Sequence, residues 1–116
     1  MGVPSPLVFS TYAHVAEHVV TVCVAGEIDA LSVRPLEAEF ARALGHRKES
    51  VVVDLAKVTF CGSAALAALL SLERDCFAAG VRLVLMPSRI VQRAIEMTGL
   101  TQVFGSDVIE RDVLGH

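Results

Sequence analysis

Residues 18–29, "HVVTVCVAGEID", alternate large and small: Val20, Val22 and Val24 are separated by Thr21, Cys23 and Ala25. A period of two is that of a strand with two unlike faces, and Gly26 falls at its end. The preceding run, "LVFSTYAHV" at residues 7–15, is also rich in β-formers, and only Ala16 and Glu17 separate the two, so the pattern predicts an antiparallel hairpin. From Ser32 the period changes to that of a helix, with Val33, Leu36, Phe40, Ala43 and Leu44 on one face. Ser32 is placed to cap it, Pro35 falls in the first turn and Gly45 closes it. "VVVDL", residues 51–55, is a continuous β-branched run of the kind expected in a central strand covered on both faces. A second helix is predicted from about Ser63 to Ala79, stopped by Gly80, with Leu66, Leu69, Leu70, Glu73 and Phe77 along one face. "VRLVLM", residues 81–86, reads as a strand, and Pro87-Ser88 opens a third helix with Ile90, Val91, Ile95 and Met97 inward and Gly99 at its end. Leu100, Val103 and Phe104 suggest a last short strand before the polar tail "SDVIERDVLGH".

The predicted order is β-β-α-β-α-β-α-β. Strands alternating with helices after a hairpin imply an α/β fold, with a mostly parallel mixed sheet, an N-terminal antiparallel hairpin and helices packed on the sheet. One domain is expected over residues 1–116, with its core at about 7–105 and its tail at 106–116.

Composition narrows the function. Hydrophobic residues make up 53% and mean hydropathy is +0.58, yet no apolar run approaches the roughly 18–20 residues of a membrane span. The apolar residues are therefore assigned to a core, with no membrane insertion. "MGVPSPLVFS" lacks the basic start and apolar run of a secretory leader, and Met1-Gly2 alone is weak ground for myristoylation, so a cytoplasmic location is expected. Ten Lys and Arg against thirteen Asp and Glu, a net charge of −3, leave no basic face for a phosphate backbone, and no direct nucleic-acid partner is expected. Arg34, Arg42, Arg47 and Lys48 are interleaved with Glu37, Glu39 and Glu49, the pattern of a solvated helix face. Cys23, Cys61 and Cys76 form no Cys-x-x-Cys pair and have no His at ligand spacing, so neither a disulfide scaffold nor a metal site is implied. Cys23 and Cys76 read as small core residues. Cys61 stands just before a helix, where the dipole would lower a thiol pKa, and is the one redox candidate.

The stretch "VTFCGSAALAALL", residues 58–70, sets a lone serine at the mouth of an Ala-Leu helix. A cap, a nucleophile and a surface read by another protein are the competing explanations. A nucleophile elbow needs Gly where Cys61 and Ala65 stand, a Walker loop needs a lysine before the serine, and a cysteine-phosphatase loop needs Arg where Ala67 stands. His14, His18, His46 and His116 fall in a turn, a strand start, a loop and the terminus, and none is an obvious general base. No catalytic residue is assigned, and no cofactor is implied. Gly62, Ser63, Ala64 and Ala65 instead form a small, open rim at a helix N-terminus, where free N–H groups favour negative charge. Ser63 is either the cap of that helix or part of a contact surface.

Three local motifs carry a resemblance that spans nearly the whole chain: "GEID" after the second strand, "VVVDLAKVTF", and "GVRLVLMPSRIVQRAIEMTGL". With them the chain resembles the STAS-domain anti-sigma factor antagonists, which bind a serine-kinase anti-sigma factor and so release a sigma factor. The resemblance implies a binding module, a partner of the ATPase/serine-kinase fold and a contact face of Glu27, Asp29, Cys61, Gly62, Ser63, Ala64 and Ala65. The family's switch, Phe-x-Asp-Ser-Ser-Gly-Leu, carries its phosphate on the second serine. Anchored on Phe60 and Leu66, this chain has Gly62 for the Asp, Ser63 for the first Ser, Ala64 for the acceptor and Ala65 for the Gly. Docking without the usual phosphoserine control is therefore expected, with Ser63 as the one remaining phosphorylation candidate. The same fold also serves as a scaffold or accessory subunit of sensory and lipid-transport complexes, where Asp29 would only tie its own turn. A homodimer is compatible with either role.

Overall fold

The computed structural model of the chain describes residues 9–100. Their order is β1 (Phe9–Val15), β2 (Val19–Ile28), α1 (Val33–Gly45), β3 (Ser50–Cys61), α2 (Ser63–Ala79), β4 (Arg82–Pro87) and α3 (Arg89–Met97). Spatial order in the sheet is β1-β2-β3-β4, with β1 antiparallel to β2 and the other neighbours parallel. The hairpin and the α/β alternation are as the residue pattern predicts. Of the predicted last strand, Leu100 lies in a turn, while Val103 and Phe104 lie outside the described residues, as do residues 7 and 8 of the first strand and the tail.

Register explains the core. Val20 stands beside Val51 and Val51 beside Leu83, and the next row but one is Val22, Val53 and Leu85. These six join Leu36 and Phe40 of α1, Leu69 and Leu72 of α2, and Val91 and Ile95 of α3 in one buried cluster. Burying each such side chain is worth about 1.5–3 kcal/mol against leaving it in water. The helices share one sheet face, so Thr21, Cys23, Val52 and Asp54, which alternate with the buried set, are only half-buried. This corrects two expectations: the 51–55 run is covered on one face, and Cys23 is not a core residue. Cys76 is buried as expected.

The helix faces also shift from the predicted stripes. The buried arc of α2 is Ala65, Leu66, Ala68, Leu69, Leu72 and Cys76, with Leu70 at its border, and Phe77 is 82% exposed. Ala65, Ala68 and Cys76 make up half of that arc, and the larger Phe77 faces outward. In the nine-residue α3 only Val91 and Ile95 are buried; Ile90 is exposed and Met97 is 82% exposed. An i, i+4 pair is all that so short a helix seats. On α1, Glu39 is buried rather than solvated, and its Oε1 accepts a hydrogen bond from Arg42 Nη2 at 2.6 Å.

Candidate functional site

In the described sheet the three parallel strands point the same way, so the β2–α1, β3–α2 and β4–α3 junctions gather at one end with the N-termini of all three helices. That end collects the unpaired N–H groups and positive dipole ends, and is where α/β sheets usually place their contacts. β2 and β3 run on together beyond β4, pairing Ala25 with Lys57, Glu27 with Phe60 and Ile28 with Cys61. The register skips one residue of β3 between Cys23 and Ala25, and Asp54 Oδ1 accepts the Ala56 N–H at 3.0 Å beside the skip. At the tip the Gly62 N–H donates to the Ile28 carbonyl at 2.9 Å, which joins the two junctions into one rim.

The first half of the rim is a loop held by its own side chains. Asp29 Oδ1 accepts from the N–H groups of Leu31 at 3.0 Å and Ser32 at 3.1 Å. Those bonds, Ser32 first, hold the Asp29 carboxyl below the ordinary carboxylate range. Ser32 Oγ accepts from the Asp29 N–H at 2.9 Å and donates to the Glu27 carbonyl at 3.0 Å. Ser32 occupies the N-cap position of α1 but its side chain makes no capping bond to the helix, contrary to expectation, because the hydroxyl faces this loop. Asp29 thus ties its own turn, while Glu27 is exposed.

The second half is the corner. Gly62, extended at φ −85° and ψ 179°, is the N-cap of α2, and its carbonyl accepts the N–H groups of Ala65 and Leu66. Ser63 is therefore the first helical residue, exposed and without a side-chain capping bond, which corrects its reading as the cap. A residue already in the helix has its hydroxyl beside its own turn, out of reach of the N–H groups that a cap serves. The Ser63 and Ala64 N–H groups have no partner among the described residues. Ala64 is half-buried and Ala65 fully buried, so Ala65 supports the rim from beneath. Burial pushes the half-buried Cys61 thiol up to about 11, the reverse of the dipole effect expected there. The cause is desolvation, since the thiol at the end of β3 is half-buried.

Two exposed apolar side chains of the rim lie outside the contact face that the sequence implies. Leu31 is 89% exposed and Phe60 is 49% exposed, one on each half of the rim. Leu31 sits among Asp29, Ala30 and Ser32, and nothing in that pattern marks it as exposed. Chemically the rim offers apolar contact, the exposed Glu27 carboxylate and two N–H groups without a partner among the described residues. His14 and His18 belong to the hairpin and His46 follows α1, at the opposite end of the sheet, where the Ser50 N–H reaches the His18 carbonyl at 3.2 Å. No imidazole among the described residues is therefore placed to activate Ser63 or Cys61. No described helix is long and apolar enough to cross a membrane.

A family model described as "Mlab, STAS domain" matches residues 13–110. No curated protein matches the chain in sequence. Among solved structures, an anti-sigma factor antagonist from Mycobacterium paratuberculosis is 25% identical with a TM-score of 0.74, the match covering 87% of this chain and 86% of that one. The anti-sigma factor antagonist SpoIIAA in its unphosphorylated form is 18% identical with a TM-score of 0.73, over 90% of this chain and 89% of that one. SLC26A9 is 11% identical with a TM-score of 0.70, and there the match covers 83% of this chain but 18% of the other.

Proposed function

The chain belongs to the STAS domain family, and from that premise we propose that it is an anti-sigma factor antagonist. It docks through its rim on a cytoplasmic anti-sigma factor of the ATPase/serine-kinase fold and thereby frees a sigma factor for transcription. The observation that carries this reading is the open N-terminus of α2, flanked by exposed Leu31 and Phe60 and by the Glu27 carboxylate. Apolar anchors with a charged neighbour make a contact face, and the likeness to two antagonists over most of their length supports that use.

Ala64 determines the regulation. It holds the acceptor position of the family's switch without a hydroxyl, so the face stays in its unmodified, docking-competent form. Glu27, Asp29 and residues 61–64 act as a binding surface with no chemistry of their own, and the buried Ala65, expected in the contact face, only supports it from beneath. The test is affinity capture from native cytosol with the wild-type chain, Leu31→Asp and Ala64→Glu side by side. The wild type is expected to recover a kinase-fold anti-sigma factor, and each variant to bind it at least about tenfold less tightly, roughly 1.4 kcal/mol. Folded variants that bind equally well remove the rim from the contact. A phosphate that maps to Ser63 and weakens binding overturns the unregulated reading.

A second reading rests on the description of the matching family model and on SLC26A9, in which the matched part is a small share of a larger chain. There the chain is an accessory or scaffold subunit of a transport or sensory complex. Recovery of transporter subunits in a large assembly, with no anti-sigma factor, selects it.

A further inference from the structure

β1 is an edge of the sheet and the outer side of its backbone has no partner among the described residues. Its seven residues, Phe-Ser-Thr-Tyr-Ala-His-Val, include no Lys, Arg, Asp, Glu or Pro, the residues that usually keep an edge from pairing. At the other side of the described sheet β4 begins at Arg82 and closes on Pro87, which has no N–H to give. The β1–β2 register fixes which groups point outward. The Ala16 N–H bonds the Val19 carbonyl, and in an antiparallel ladder hydrogen-bonded pairs alternate. Ser10, Tyr12 and His14 therefore direct their backbone groups to β2, while Phe9, Thr11, Ala13 and Val15 direct theirs to the open side.

We propose that this edge pairs with the β1 edge of a second copy of the chain, antiparallel, about a two-fold axis at Tyr12. Among the described residues an axis at Tyr12 pairs all seven of β1: Phe9 with Val15, Ser10 with His14, Thr11 with Ala13 and Tyr12 with itself, each across the axis. Centring the axis between two residues sets outward groups against inward ones and makes no ladder. With the axis at Tyr12 the outward groups of Thr11 meet those of Ala13 and the outward groups of Phe9 meet those of Val15. Like chemistry also meets like: exposed Val15 covers Phe9, which packs on the core, and the polar Ser10 meets His14. Tyr12, 64% exposed, falls in a non-hydrogen-bonded pair, where side chains approach most closely, so the two rings pack over the axis. A contact that pairs identical surfaces about a two-fold closes at two copies, and two four-stranded sheets become one continuous sheet. The contact uses the β1 edge, apart from the rim, and stands or falls independently of what the rim binds.

Sedimentation of the full chain over a concentration series into the millimolar range is the first test. A rise in mass from 12.4 kDa toward twice that value is expected. Ala13→Pro removes one outward N–H and leaves the β2 ladder intact, and Tyr12→Lys sets two like charges at the axis. Both are expected to stay monomeric with an unchanged circular dichroism spectrum. A Tyr12→Cys, Cys23→Ser double variant, in which the neighbouring thiol is removed, is expected to form a disulfide between two copies under mild oxidation. A wild-type chain that stays at 12.4 kDa throughout, a dimer that persists in both single variants, or a double variant that does not cross-link overturns the proposal.

Discussion

At Asp29 the hydrogen bonds that fix the loop also set its response to acid. Its carboxyl is held below the ordinary value of about 4, so its contribution to stability is complete above that pH and is lost as pH falls through the folded value. Asp29→Ala is expected to melt lower than the wild type at neutral pH, and the difference to shrink in melts taken at pH values below about 4. Cys61 carries the opposite kind of shift. A thiol at about 11 has roughly two orders of magnitude less thiolate near neutrality than an unstructured cysteine at about 8.5. Alkylation followed by peptide mass spectrometry should show Cys61 reacting about that much more slowly than a model peptide; a rate equal to the peptide's removes the desolvation argument. Thr11 Oγ1 is buried without a hydrogen-bond partner among the described residues. Thr11→Val replaces that hydroxyl with a methyl of the same shape and is expected to stabilise the fold by about 1 kcal/mol in denaturant titration.

Element by element, α2 shows what a sequence reveals and what it withholds. Its bounds, Ser63–Ala79, are legible because the glycines on either side are read by backbone geometry: Gly62 extended, Gly80 left-handed at φ 72° with the Val81 N–H returning to the Cys76 carbonyl. Its buried face is not legible, since in an Ala-Leu helix nearly every position is apolar and only packing decides which arc turns inward. The same limit hid Leu31 and Phe60: a lone apolar side chain carries no mark of being left outside. The corner itself was legible, since the residues that draw two loops together sit in recognisable local motifs, but whether Gly62 or Ser63 caps the helix depends on torsion angles. Three substitutions test these assignments. Leu72→Ala is expected to cost about 2–5 kcal/mol, while Phe77→Ala stays within about 0.5 kcal/mol, in paired denaturant titrations. Gly62→Asp should raise stability by about 0.5 kcal/mol, because a carboxylate there accepts from the start of α2 and meets its dipole. Space permits it: a Cβ at Gly62 has the exposed Phe60 ring at 3.4 Å and the Ile28 carbonyl at 3.6 Å, ordinary contacts.

At the scale of the whole molecule, the described residues present two unlike surfaces: a rim where three helices begin and a strand edge with no partner among those residues. Backbone exchange with solvent distinguishes the edge without any substitution. In a lone chain the Ser10, Tyr12 and His14 amides donate into the β2 ladder, whereas those of Thr11, Ala13 and Val15 face water, so protection alternates residue by residue along β1. β2 and β3, flanked on both sides, hold the slowest amides at any concentration. Pairing of two β1 edges fills the open side and changes only one half of the alternation. Hydrogen exchange followed by NMR is therefore expected to show Thr11, Ala13 and Val15 gaining protection as the protein is concentrated, with the Ser10, Tyr12 and His14 amides nearly constant. If all six rise together, concentration is stabilising the fold as a whole rather than closing this edge, and if none changes, β1 is a free edge in solution.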